Sequence, residues 1–126
     1  MTLTQNHHPR KAIRHFHHLD NAEQARLFHR APEELPADAD RELLAFALGA
    51  TLYMPADRAD LAATVARRAK AGVCSMVLDL EDAVDDGAMD SALANTVTVL
   101  DELAESQQAT QAMLFVRVRT AECITR

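Results

Sequence analysis

Ser75-Met76-Val77-Leu78-Asp79-Leu80-Glu81-Asp82-Ala83-Val84 is a short apolar run that ends in three carboxylates, and its reading decides the fold. It follows Gly72, is too short for a stable helix, and gives way to acids that suit a loop or helix start, so it reads as a buried strand. Side chains alternate along a strand, which puts Ser75, Val77, Asp79 and Glu81 on one face and Met76, Leu78 and Leu80 on the other. One face is wholly apolar; the other turns acidic as the strand ends. In parallel α/β folds, ligands and catalytic groups collect at the C-terminal ends of strands.

Working outward, Ala50-Thr51-Leu52-Tyr53-Met54-Pro55 is a second strand candidate upstream, stopped by its proline. Between the two strands, Asp57 is placed to cap a helix in which Leu61, Ala62, Val65, Ala66 and Ala69 recur at helical spacing. Arg67, Arg68 and Lys70 fall in its last turn, before Gly72. Downstream, Asp85-Asp86-Gly87 makes a turn, and Met89, Leu93, Val97, Leu100 and Ala104 form a further helical stripe. A third strand spans Ala112 to Arg119, with Leu114, Val116 and Val118 on one face and Phe115, Arg117 and Arg119 on the other. The order is β-α-β-α-β, with parallel strands. Asp79, Glu81 and Arg117 then converge at one end of one sheet. Such a cluster is either a structural salt bridge or a ligand site, and both signs gathered at strand ends favour the ligand site.

Residues 1–48 read differently. Residues 1 to 40 carry all six histidines and three of the four prolines, with little periodicity, so this part is expected to be a polar extension with short helices. Asp20 and Glu23 have the spacing of a capping box, Pro32 to Asp40 reads as linker, and Arg41 to Leu48 as a short helix. His15, His17 and His18 invite a metal-cluster reading, but no further ligands at a recognised spacing accompany them, and solvated surface is favoured.

Composition bounds the function. The 126 residues are 48% hydrophobic and 25% charged, with a net charge of −6, which disfavours a nucleic-acid or anionic-membrane surface. Cys74 and Cys123 form no CxxC pair, and no apolar run approaches the roughly 20 residues of a membrane span. A reducing cytoplasm is the simplest setting.

Three segments, Ala50-Thr51-Leu52-Tyr53-Met54-Pro55-Ala56-Asp57-Arg58, Val77-Leu78-Asp79-Leu80-Glu81-Asp82-Ala83-Val84 and Leu114-Phe115-Val116-Arg117-Val118, together resemble the opening of the HpcH/HpaI aldolase and citrate lyase β-subunit family. The resemblance covers about residues 49 to 119. It implies the first three βα units of a (β/α)8 TIM barrel over residues 49–126. The activity it implies is Mg²⁺-dependent making or breaking of a carbon–carbon bond in a carboxylate or acyl-CoA substrate. Arg117 matches the family arginine that binds a substrate carboxylate or enolate oxygen, with Asp79 beside it in the substrate site. Glu81 and Asp82 match the acid pair that holds the metal's waters. The direct ligands, a Glu and an Asp on later strands, are expected beyond Arg126, so the chain is expected to be incomplete and inactive alone. A homo-oligomer, trimer or hexamer, is implied for the full-length protein. Gly49 and Ala50 stand where many members have Arg-Ser, and Arg119 replaces a common asparagine.

Two rivals remain at this point. One is a small non-enzymatic α/β module that binds an anion or a partner through the Arg117 end. The other is a receiver-like doubly wound domain that uses Asp79 and Asp82.

Overall fold

The computed structural model describes residues 12–106 and 112–124. Residues 1–11 of the extension, with His7 and His8, lie outside them, as do 107–111 and 125–126.

Three strands, β1 (Leu52–Pro55), β2 (Ser75–Asp79) and β3 (Met113–Arg117), form one sheet in the order β1-β2-β3. Both pairings are parallel, with Pro55 opposite Asp79 and Asp79 opposite Arg117. Helix α3 (Leu61–Lys70) connects the first pair and α4 (Met89–Glu105) the second. Right-handed crossovers that step across a sheet without reversing put every helix on the same side. That is the pattern of a (β/α)8 barrel wall. A receiver-like domain reverses direction and places its first strand inside the sheet, so the strand order excludes that rival.

The core lies between this sheet and its two helices. Met54, Met76 and Leu78 pack against Leu61, Val65 and Ala69 of α3 and Val99 of α4. Leu61, Met76 and Leu78 are fully buried, each stabilising the fold by about 1.5–3 kcal/mol. A second cluster of Ala56, Leu80, Val84 and Ala92, with Val118 against it, closes the C-terminal end of the sheet.

Three expectations need correction. The first helix of the unit begins at Leu61, after Asp60, rather than at a cap on Asp57. The reason lies in the preceding loop: Asn95 of α4 donates to the carbonyls of Ala56 (2.7 Å) and Arg58 (3.0 Å), holding that stretch out of helical conformation. On α4, Met89 and Leu93 pack against the core as expected, but the fully buried line is Ala92, Thr96 and Val99, while Val97 is 57% exposed. Thr96 is tolerated inside because its hydroxyl donates to the Ala92 carbonyl at 2.8 Å. Val116, expected on the packed face, is 37% exposed because β3 is an edge strand.

Ahead of the sheet come α1 (Asn21–Leu27) and α2 (Arg41–Phe46). The expected capping box is present: the Glu23 amide donates to Asp20 Oδ1 (2.8 Å), and the Asp20 amide to Glu23 Oε2 (2.9 Å). The stretch expected to be linker is tied to the segment before α1 by reciprocal 2.8 Å bonds between Ile13 and Leu35. The histidines are used as caps. His15 Nε2 donates to the Ala47 carbonyl at the end of α2 (2.8 Å), and His17 Nε2 meets the Ala69 carbonyl in the last turn of α3 (3.1 Å). Helix C-termini carry carbonyls without an intrahelical partner, and these rings supply one. The segment therefore lies against the N-terminal ends of β1 and β2, at the end of the sheet away from Asp79 and Arg117.

Candidate active site at the strand ends

Because Asp79 and Arg117 are the last residues of adjacent parallel strands and register neighbours, their side chains leave the sheet together. Arg117 donates from Nε to Asp79 Oδ1 and from NH2 to Asp79 Oδ2, both at 2.8 Å. NH2 also meets Asp82 Oδ2 at 2.9 Å, and Nε stands 3.2 Å from Glu81 Oε2. The Tyr53 ring lies against the guanidinium, with Cζ 5.4 Å from its centroid. NH1 takes no part in these contacts.

Burial divides the roles. The Asp79 side chain is 4% exposed, while those of Arg117, Glu81 and Asp82 are 35%, 43% and 78% exposed. Asp79 is also the acceptor for the Glu81 amide at 3.0 Å, so it ties the strand end to the acidic loop. The Arg117 hydrogen bonds hold its carboxyl below the usual carboxylate range against the opposing effect of burial. In return the carboxylates fix Arg117 as a permanent cation. Glu81 and Asp82 each direct one oxygen at Arg117, with the second oxygen outside any hydrogen bond between described residues.

All four predicted site residues, Asp79, Glu81, Asp82 and Arg117, are thus brought together, with Asp79 inside the cluster and the other three at its surface. Tyr53 escaped the sequence reading. Its signal was there in the period-2 pattern, since it stands two residues before Pro55 and so shares a face with the residues opposite Asp79. Thr51, Tyr53, Val77, Phe115 and Arg117 line an open groove of about 370 Å³ on the face away from the helices. Arg119 leaves the cluster: it donates to the Glu81 carbonyl (2.9 Å) and the Val84 carbonyl (2.6 Å) and pairs with Asp86.

Three carboxylates around one guanidinium leave the cluster net negative, a setting that favours a cation and its waters over a free anion. Among the described residues no group of three or more His, Cys, Asp or Glu side chains is arranged to hold a metal ion directly. That includes His15, His17 and His18. Glu81 and Asp82 fit a role at one remove, through water, because both carboxylates are solvent-accessible at the rim of the cluster. No helix among the described residues is long and apolar enough to cross a membrane.

The model of the C–C bond lyase family of the TIM-barrel fold matches residues 42–126. No curated protein and no solved structure matches the chain.

Proposed function

The chain belongs to the C–C bond lyase family of the TIM-barrel fold, and from that premise we propose that it forms the N-terminal part of a Mg²⁺-dependent lyase. The kind proposed is that of the HpcH/HpaI aldolases and citrate lyase β-subunits, acting on a carboxylate or acyl-CoA substrate. The observation that carries the reading is a guanidinium fixed by a buried carboxylate at the C-terminal ends of parallel barrel-type strands.

In this reading Arg117 meets a substrate carboxylate or enolate oxygen through NH1, the nitrogen that its acidic partners leave open. Because Asp79 already holds the planar group on two bonds, little reorganisation is needed as charge grows on the substrate. Glu81 and Asp82 would hold waters of a Mg²⁺ ion. The cation, when bound, polarises the carbonyl next to the bond that breaks. A TIM barrel closes with about eight strands, so the three strands here supply one sector of the site, and further strands supply the direct metal ligands. The proposed homo-oligomer, trimer or hexamer, belongs to that completed protein.

The non-enzymatic rival, an anion- or partner-binding module, is weaker because the acids around Arg117 oppose a free anion. An assay of the complete protein for release of a small keto acid, aldehyde or acetyl-CoA decides between them. Turnover that stops with chelator and returns with Mg²⁺ supports the lyase. Turnover indifferent to chelator, or none with any such substrate, overturns it.

A further inference from the structure

The loop from Glu81 to Asp86 holds four acids, Glu81, Asp82, Asp85 and Asp86, which repel one another, and only Asp86, at the start of a single 3-10 turn (Asp86–Ala88), lies in regular structure. Its shape is nonetheless tied at both ends by one side chain from another element. Arg119, two residues beyond the end of β3, donates from NH2 to the carbonyls of Glu81 and Val84, and its NH1 pairs with Asp86. The first of these carbonyls belongs to the residue whose carboxylate faces Arg117, and the second to a residue whose side chain is 4% exposed in the core. A guanidinium carries two protons on NH2 and can serve both carbonyls while NH1 faces the acid.

We propose that Arg119 is a positioning residue: it sets the path of the 81–86 loop, and through that path the placement of the Glu81 and Asp82 carboxylates against Arg117. Its effect on Mg²⁺ rests on the lyase reading above; its effect on Arg117 does not. Asparagine at this position has one amide group on a short stem and could not span both carbonyls and Asp86 together.

The test, on the complete protein, is NMR of the Arg117 Nε–H signal and of amide exchange at Glu81, in wild type, Arg119→Gln and Arg119→Lys, with a parallel Mg²⁺ titration. Arg119→Gln is expected to shift the Arg117 signal and speed Glu81 exchange, and Arg119→Lys to do so less, because the charge and some donors remain. Mg²⁺ affinity should fall roughly 10–100-fold in Arg119→Gln. Should Arg119→Gln fail to fold, Arg119→Lys carries the same reading. A lower unfolding midpoint with the Arg117 signal and Glu81 exchange unchanged overturns the proposal. A wild type that binds no Mg²⁺, with the Arg117 signal still displaced in Arg119→Gln, removes the metal reading and supports the positioning role.

Discussion

Arg117 and Asp79 stand opposite one another on adjacent parallel strands and are joined by two hydrogen bonds of 2.8 Å, so the arginine's fork is occupied before any substrate arrives. This turns the expected division of labour around. A free arginine would grip a carboxylate bidentately, whereas this one offers a single nitrogen from a fixed plane. Asp79 does its work from inside, at 3% exposure, by orienting Arg117 and accepting the Glu81 amide.

Asp79 links the site to acid stability. Its folded carboxyl titrates below its unfolded value, with the Arg117 hydrogen bond as the leading cause. The stabilisation is therefore fully present above the unfolded value of about 3.9 and is lost as pH falls through the lower folded value. Denaturant midpoints measured from pH 7 down to pH 2 should drop below about pH 4. Asp79→Asn should be less stable at pH 7 and show a flatter acid limb.

Removing Arg117 should do two separable things. Arg117→Gln leaves a buried carboxylate without its charged partner, and the double variant Asp79→Asn/Arg117→Gln should resist urea better than Arg117→Gln alone. In the complete protein, kcat of either variant should fall about 10²–10³-fold, the cost of losing one charge-stabilising donor. Stability restored with activity still absent is the expected signature; restored activity would remove Arg117 from the chemistry.

Much of this was legible because alternation fixes faces. Once Ser75 to Asp79 is a strand, Met76 and Leu78 must face the helices, and Asp79 must leave on the side of Arg117. The capping box at Asp20 and Glu23 is local and was equally legible. What failed was set by side-chain hydrogen bonds to backbone carbonyls, which apolar periodicity does not show. Asn95 moves the start of α3 from 34 or more positions away, and no local pattern shows it. The stripe on α4 was displaced because Thr96, polar by type, is made apolar in effect by bonding its own helix. His15 and His17 look like ligands or surface until the carbonyls they cap are in view.

Gly72 offers a test of how closely the N-terminal segment is fitted. Its φ is +102°, a conformation that costs a residue with a Cβ about 1–3 kcal/mol, and the added atom would also meet the His18 ring. Gly72→Ala should therefore lower stability by roughly that amount in chemical denaturation. His18→Ala in the same chain should recover only part of the loss, since an exposed ring can move aside and the backbone strain cannot be relieved that way. Full recovery would assign the whole effect to the contact.

Asn95 should be the most consequential polar residue outside the cluster. Its amide nitrogen serves two carbonyls of the β1–α3 loop, and Ala56, the owner of one of them, is completely buried. Asn95→Ala leaves those acceptors unpaired, at a cost of about 1–3 kcal/mol. Asn95→Asp should be worse, because an ionised carboxylate only accepts and would face two oxygens that also only accept. Amide exchange at Arg58, whose N–H bonds Pro55 at 3.4 Å, should quicken in both variants. Ser91→Ala, on the exposed side of the same helix, should stay within about 0.5 kcal/mol of wild type. The ranking separates loop clamping from a general loss of helix α4: if Asn95→Asp matched wild type, the clamp would carry no weight, and the late start of α3 would need a cause within residues 56–60.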